Sequence, residues 1–105
     1  MSQFTLYANQ NTDSKAAYPY FVDIQNDLLS NLNTRLVIPL ASLSHLSNRN
    51  IDDLCPRLEF NNQTYVLLTQ QMTNIPATAL TEPVDSVAYL RNQILAAIDL
   101  LITGF

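Results

Sequence analysis

The chain has 105 residues, of which 48% are hydrophobic and 13% charged, and its formal net charge is -4 at pH 7. This length and apolar content predict a single domain over residues 1–105 whose core needs no disulfide or metal. The single glycine excludes Gly-rich loops that hold a phosphate or a dinucleotide. Five scattered Lys and Arg residues against nine acids make direct nucleic-acid binding unexpected.

Targeting signals and metal ligands are also few. Residues Met1 to Tyr7 have neither a basic nor an apolar signal region, and the most apolar run, Ile94 to Ile102, is far shorter than the roughly 20 residues that span a bilayer. One cysteine and one histidine cannot form a four-ligand zinc site. We therefore expect a cytoplasmic protein without membrane contact, metal or cofactor.

The first half of the chain alternates apolar and polar residues with the period of two that is typical of β-strands. The first strand is predicted at Gln3 to Tyr7, with Phe4 and Leu6 inward, and a polar loop follows at Ala8 to Ala17. The second strand is predicted at Tyr20 to Gln25. Its inward residues are Tyr20, Val22 and Ile24, and its outward residues are Phe21, Asp23 and Gln25.

After a turn at Asn26 to Thr34, the apolar run Arg35 to Leu40 predicts a buried strand. Pro39 has no N–H and therefore indicates a strand end, an edge or a bulge. Leucines at positions 40, 43 and 46 favour a tight helical turn, and Asn48 to Pro56 is irregular.

A hairpin is predicted next, with strands at Arg57 to Phe60 and Thr64 to Thr69. Between them lie Asn61, Asn62 and Gln63, and asparagine tolerates the positive φ angles that a tight hairpin turn requires. One more strand is predicted at Ile75 to Leu80, after which residues 81–83 break the pattern.

The period changes to 3.6 from Asp85 or Ser86, which predicts a C-terminal helix packed on the sheet. Its core stripe comprises Val87, Leu90, Ile94, Ile98 and Leu101, with Ala97 at the margin. Asp85 or Ser86 could cap the first turn, and Gly104 suits the left-handed residue that ends a helix.

The end of this helix is unusually apolar for a chain terminus. Ile102 and Leu95 lie about 80 to 100° from the centre of the core stripe, and Phe105 follows the glycine. These side chains could face a partner, pack back against the barrel or form a homodimer. The periodicity leaves these alternatives open.

No catalytic set emerges from the residue types. His45 and Cys55 would have to meet across an irregular segment, and Asp52 and Asp53 are typical of a solvated turn. Asp23 with Asp27 is the more interesting acid pair, although turn capping explains Asp27. We therefore expect a protein that is not an enzyme.

Several motifs together resemble the CcdB family of toxins over nearly the whole chain. The matching residues are Gln3, Phe4, Tyr7, the run Phe21 to Gln25 with Asp27, Arg35, the run Val37 to Ala41, Pro56, Met72, Pro76, Asn92, Ile94, Ala97, Ile98 and Gly104. The resemblance implies an SH3-like barrel of short antiparallel strands with a small side sheet and a C-terminal helix.

The resemblance further implies a homodimeric toxin of a toxin–antitoxin system that binds the DNA gyrase A subunit and traps the gyrase-cleaved DNA complex. Its antitoxin would resemble CcdA, neutralising the toxin with a disordered C-terminal segment, and the pair would repress its own operon. The gyrase-binding positions carry over to Leu28, Leu29, Asp99, Ile102, Thr103, Gly104 and Phe105. Thr103 replaces a tryptophan found in the family, which predicts binding weaker by about tenfold.

Two alternatives remain from the residues. A ribonuclease toxin can use the same barrel, and it would require Arg35, Asp23 and His45 to converge around a phosphate. A homologue that only binds antitoxin is the other alternative.

Overall fold

The structure is a computed structural model and describes residues 2–45 and 53–104. Seven strands, one helix and several 3₁₀ turns account for most of them. The strands are β1 (Thr5–Ala8), β2 (Tyr20–Asp23), β3 (Thr34–Ser42), β4 (Arg57–Phe60), β5 (Gln63–Leu67), β6 (Thr73–Pro76) and β7 (Pro83–Ser86), and the helix is α1 (Arg91–Thr103).

The strands form one curled antiparallel sheet in the order β4-β5-β3-β2-β1-β7, with β6 branching from β3. The expected mainly β class, an SH3-like barrel with a side sheet and a C-terminal helix, is confirmed as a half-barrel. The long strand β3 makes the branch possible, since its residues 34–37 pair with β6 and its residues 40–42 pair with β5.

Pro39 lies inside β3 rather than at its end. Its carbonyl accepts a hydrogen bond from the Leu68 amide, so its nitrogen points to the side where the neighbouring strand changes from β6 to β5. Pro39 therefore lies between the part of β3 that pairs with β6 and the part that pairs with β5. Its missing N–H removes no hydrogen bond from either pairing.

The β4–β5 hairpin confirms the prediction made from its asparagines. Phe60 pairs with Gln63, and Asn61 and Asn62 have φ angles of 51° and 62°. Two consecutive left-handed residues match the twist of the flanking strands, which is why this two-residue turn closes the hairpin.

The main core lies between the sheet and α1. Leu6, Val22, Ile38 and Leu67 from the strands are fully buried together with Ile94 from the helix. The stripe predicted for the helix therefore packs inward as expected, except that Leu101 remains 39% exposed at its C-terminal end.

The opposite face of the sheet is also covered, which corrects the outward orientation predicted for part of β1 and β2. Tyr7 packs with Val37 and Leu80 in a second cluster, because β6 and the chain after it cover that face. Asp23 and Gln25, also predicted to face outward, are buried as well.

The region before the helix differs from the sequence prediction in two ways. The chain forms β7 and then a 3₁₀ turn at Ala88–Leu90, so the helix begins at Arg91 and has no side-chain cap. The Ser86 hydroxyl accepts a hydrogen bond from the Ala88 amide at 3.4 Å, before the helix, rather than capping it.

The segment predicted as a strand at Ile75 to Leu80 forms the end of β6 and then a 3₁₀ turn at Ala77–Ala79. The leucine-based helical turn is present as the 3₁₀ turn Leu43–His45, while Leu40 belongs to β3 and Leu46 is outside the described residues. No helix in the described ranges is long and apolar enough to cross a membrane.

Candidate binding surfaces at the helix end and the leucine turn

The C-terminal end of α1 presents an apolar surface, which we call the helix end and define as Asp99 and residues 101–104. Ile102 is 72% exposed, and Thr103 and Gly104 are also exposed. The Thr103 hydroxyl donates to the Asp99 carbonyl at 2.7 Å, so its hydrogen is already used within the helix. The features that a partner could contact are therefore the apolar groups of Leu101, Ile102 and Thr103 and the exposed Asp99 side chain.

Gly104 ends the helix in the left-handed conformation, with a φ angle of 79°. Its amide donates to the Leu100 carbonyl at 2.9 Å, which is the bond that closes an αL helix terminus. A Cβ atom built at this position would have no heavy atom within 4 Å. The glycine is therefore required by the backbone conformation and not by crowding within the subunit.

A second apolar surface, the leucine turn, consists of Leu28, Leu29 and Leu32. Leu28 is 89% exposed, and Leu29 and Leu32 are each 52% exposed. Leu28 and Leu29 belong to the 3₁₀ turn Asp27–Leu29, which starts where the Asn26 side chain accepts the Leu28 amide at 2.8 Å. Exposed leucines at this density are unusual on a soluble surface and are typical of a contact site.

A buried ion pair lies beneath the leucine turn. Nη2 of Arg35 is 2.8 Å from Oδ2 of Asp23, and both side chains are fully buried. The same guanidinium nitrogen lies 3.5 Å from Oδ1 of Asp27, at the start of the turn. Burial raises the pKa of Asp23 above its ordinary value, although the hydrogen bond from Arg35 opposes this shift.

The start of the chain is tied to the same region. The Gln3 amide donates to Oδ1 of Asp27 at 2.9 Å, and the Gln3 side chain donates to the Ile24 carbonyl at 3.1 Å. Phe4, the next residue, has a φ angle of 62°, which is rare for a bulky side chain. This left-handed residue lies between Gln3, which contacts the turn, and the first residue of β1.

The structure places the sequence-derived binding residues in two separate groups. Asp99, Ile102, Thr103 and Gly104 are at the helix end, and Leu28 and Leu29 are in the leucine turn. No hydrogen bond between described residues joins the two groups. Phe105 lies outside the described residues.

Three of the residues considered for catalysis, Arg35, Asp23 and Cys55, are buried. Arg35 and Asp23 do converge, but their complete burial prevents a scissile phosphate from reaching them, and the His45 side chain lies outside the described part of the structure. Cys55 is buried, and its thiol donates to Oε1 of Gln70 at 3.2 Å. This geometry supports a structural role for these groups.

Asp53 is exposed, while Asp52 is outside the description, so the acid pair in that turn is not tested. Within residues 2–45 and 53–104, no three His, Cys, Asp or Glu side chains come together in a way that could hold a metal ion.

Two features of the site were not found from the sequence. Leu32 is part of the leucine turn, although the turn region was assigned no binding role beyond Leu28 and Leu29. Gln25 is buried beneath the turn, although alternation placed it outside. The burial of Gln25 could have been inferred from Arg35, which is the first residue of an apolar run. A cation buried with such a run requires polar partners nearby.

Comparison with protein families agrees with this architecture. The family model described as CcdB protein matches residues 3–104 of the 105-residue chain. The match includes the leucine turn, the buried pair Asp23 and Arg35, and the helix end as far as Gly104. The chain therefore belongs to the CcdB family, whose members are toxins of toxin–antitoxin systems.

Proposed function

We propose that this toxin binds the DNA gyrase A subunit and traps the complex in which gyrase has cleaved DNA. The observation that carries the proposal is the exposure of the helix end, where Ile102 is 72% exposed and Gly104 leaves the surface open. Fully burying one isoleucine side chain contributes about 1.5–3 kcal/mol. Among the described residues none covers the Ile102 side chain fully, so its burial against another macromolecule would favour binding.

The proposed contacts with gyrase are made by both surfaces, and no bond chemistry by the toxin is involved. At the leucine turn they are Leu28 and Leu29, and at the helix end they are Asp99, Ile102, Thr103, Gly104 and Phe105. The absence of a side chain at Gly104 allows a partner to approach the backbone closely. Thr103 offers less contact area than an indole, so the affinity is expected to be modest.

The wider proposal follows the family. Residues 1–105 form a single toxin domain that acts in the cytoplasm as a homodimer, so each molecule presents the helix end twice. A CcdA-like antitoxin with a disordered C-terminal segment neutralises it, and together they repress their operon. An acidic toxin with a net charge of -4 is consistent with leaving contact with DNA to a partner.

The test is a gyrase cleavage assay with supercoiled plasmid, in which trapped complexes yield linear DNA after detergent and protease treatment. Wild-type protein is compared with Ile102→Asp and with Tyr89→Asp. Tyr89 is a matched control because it is 70% exposed. It lies in the 3₁₀ turn that precedes the N-terminus of α1, about 20 Å from Ile102 along the helix axis.

We expect linear DNA with the wild type and with Tyr89→Asp, and at least a tenfold higher concentration requirement for Ile102→Asp. An antitoxin-derived peptide should suppress the wild-type signal. A wild-type protein that is folded, binds antitoxin and yields no linear DNA would instead identify a homologue that has kept only the antitoxin contact.

A further inference from the structure

Apolar packing gives the leucine turn little support. None of the residues of its 3₁₀ turn, Asp27–Leu29, is buried, and Leu29 and Leu32 are each 52% exposed, so the hydrophobic effect stabilises this conformation only weakly. An isolated turn of this length is unstable in water because one or two hydrogen bonds do not offset the conformational entropy. Polar contacts with the sheet are therefore important for its shape.

The side chain of Gln25 connects the leucine turn to the sheet. Its side-chain nitrogen donates to the Leu29 carbonyl at 2.9 Å, and its side-chain oxygen accepts the Leu36 amide at 3.1 Å. One amide group thus joins the end of the turn to β3. The Leu29 carbonyl also accepts the Leu32 amide at 3.1 Å, so the same oxygen connects Leu32 to Gln25.

The backbone of Gln25 is fixed equally well. Its amide donates to Oδ1 of Asp23 at 3.1 Å, and its carbonyl accepts from Nη2 of Arg35 at 3.3 Å. All four polar groups of Gln25 therefore have partners, and two of those partners belong to the buried ion pair. The residue is 7% exposed, so water does not compete for these bonds.

This network is not the arrangement that stability alone would favour. Among the described residues, Nη1 of Arg35 is buried without a hydrogen-bond partner, which costs about 1–3 kcal/mol. Buried ion pairs can often be replaced by apolar residues without loss of stability. A network that carries this cost while holding exposed leucines in place is better explained by conformational specificity.

We propose that Gln25 is a positioning residue that holds the leucine turn in the conformation that gyrase binds. The proposal rests on the proposed function. If the turn is already in its binding conformation, association does not have to order it, and the apparent affinity is not reduced by the fraction of molecules in other conformations. Gln25 contributes through Leu29 and does not itself touch the partner.

The test uses full-length Gln25→Glu, which keeps the acceptor for Leu36 but replaces the donor to Leu29 by a second acceptor. Gln63→Glu is the matched control, because it makes the same change at an exposed residue and keeps an acceptor for the Tyr65 hydroxyl. Asn26→Ala is a second variant, which removes the side-chain acceptor of the Leu28 amide. Because Asn26 is exposed, this change should destabilise the fold less than the change at the buried Gln25 does.

Two quantities are measured for each protein. Amide hydrogen exchange reports on the Leu29, Ser30 and Leu32 amides, which donate within the turn, and on the Gly104 amide as an internal reference at the helix end. Affinity for a purified gyrase A fragment is measured in parallel. We expect Gln25→Glu and Asn26→Ala to exchange at least tenfold faster in the turn only, and to bind gyrase at least tenfold more weakly, while Gln63→Glu matches the wild type.

The outcomes separate the two proposals. If the wild type does not bind gyrase, the proposed function fails, and with it the link between the turn and gyrase, whatever the exchange rates are. If the wild type binds and Gln25→Glu loosens the turn without weakening binding, the positioning role is overturned while the proposed function stands. Unchanged exchange in a folded Gln25→Glu protein also overturns the positioning role.

Discussion

Arg35 and Asp23 form an ion pair across neighbouring strands, with Nη2 and Oδ2 2.8 Å apart and both side chains completely buried. The pair lies where β2 leads into the leucine turn, and its guanidinium extends to Asp27 at the start of that turn. The buried ion pair therefore contacts the start of the leucine turn from below. The contacts of this pair connect the stability of the sheet to the geometry of the leucine turn.

The burial of Asp23 gives a prediction for the pH dependence of stability. Burial raises its pKa above the ordinary value of 3.8, so the folded protein holds the proton more tightly than the unfolded chain does. Ionisation of Asp23 therefore lowers the free energy of unfolding as the pH rises through the interval between the ordinary and the raised pKa.

The measurement is denaturant unfolding of the wild type and Asp23→Asn across acidic to neutral pH. The stability of the wild type relative to the variant should be greatest at the acidic end and should fall as the pH increases. A relative stability that grows with pH would mean that the Arg35 hydrogen bond outweighs burial, contrary to this account.

The β4–β5 turn gives a prediction about local backbone strain. Asn62→Ala should destabilise the protein by about 1 kcal/mol, because alanine tolerates the left-handed region less well than asparagine does. Asn62→Gly should not destabilise it, since glycine has no Cβ to clash. Thermal unfolding of the two variants provides the check, and equal melting temperatures would show that the positive φ at Asn62 carries no cost.

Gly104 separates stability from binding. Gly104→Ala should cost about 1 kcal/mol of stability through its left-handed backbone, while meeting no neighbour inside the subunit. Its effect on trapping gyrase should be larger than this cost explains, at least tenfold, if a partner packs against the backbone there. Equal trapping by the wild type and a folded Gly104→Ala would place the contact elsewhere.

At Leu28 in the leucine turn, we expect a loss of binding without any cost in stability. Leu28→Asp should leave the melting temperature unchanged, because the side chain is 89% exposed and gains almost nothing from folding. Gyrase trapping should fall by at least tenfold, since burying an aspartate at the interface costs free energy. Thr78→Asp, at another exposed 3₁₀ turn, controls for the added charge, and a similar loss with both variants would point to net charge instead of contact.

The sequence predicted those parts of the fold that depend on neighbours in the chain. The asparagine turn and the apolar stripe of α1 are local signals, and both were confirmed. β7 was missed because all its residues are exposed and it has no apolar alternation. Its pairing with β1 depends on the rest of the sheet.

The buried face of β2 shows the same limit at the site. Alternation correctly assigned Val22 to the core but could not reveal that Asp23 and Gln25 are covered on the other side. That outcome depends on Arg35, which is distant in sequence and close only after β2 and β3 pair. The apolar character of the helix end is again a local property of the sequence, but the periodicity left open whether Ile102 faces outward, and the structure shows it 72% exposed.

The central claim is tested most directly by deleting residues 103–105 and repeating the gyrase cleavage assay alongside thermal unfolding. We predict a melting temperature close to that of the wild type, since Thr103 and Gly104 are exposed, together with loss of linear DNA. A folded truncated protein that still traps cleaved DNA at the wild-type concentration would contradict it.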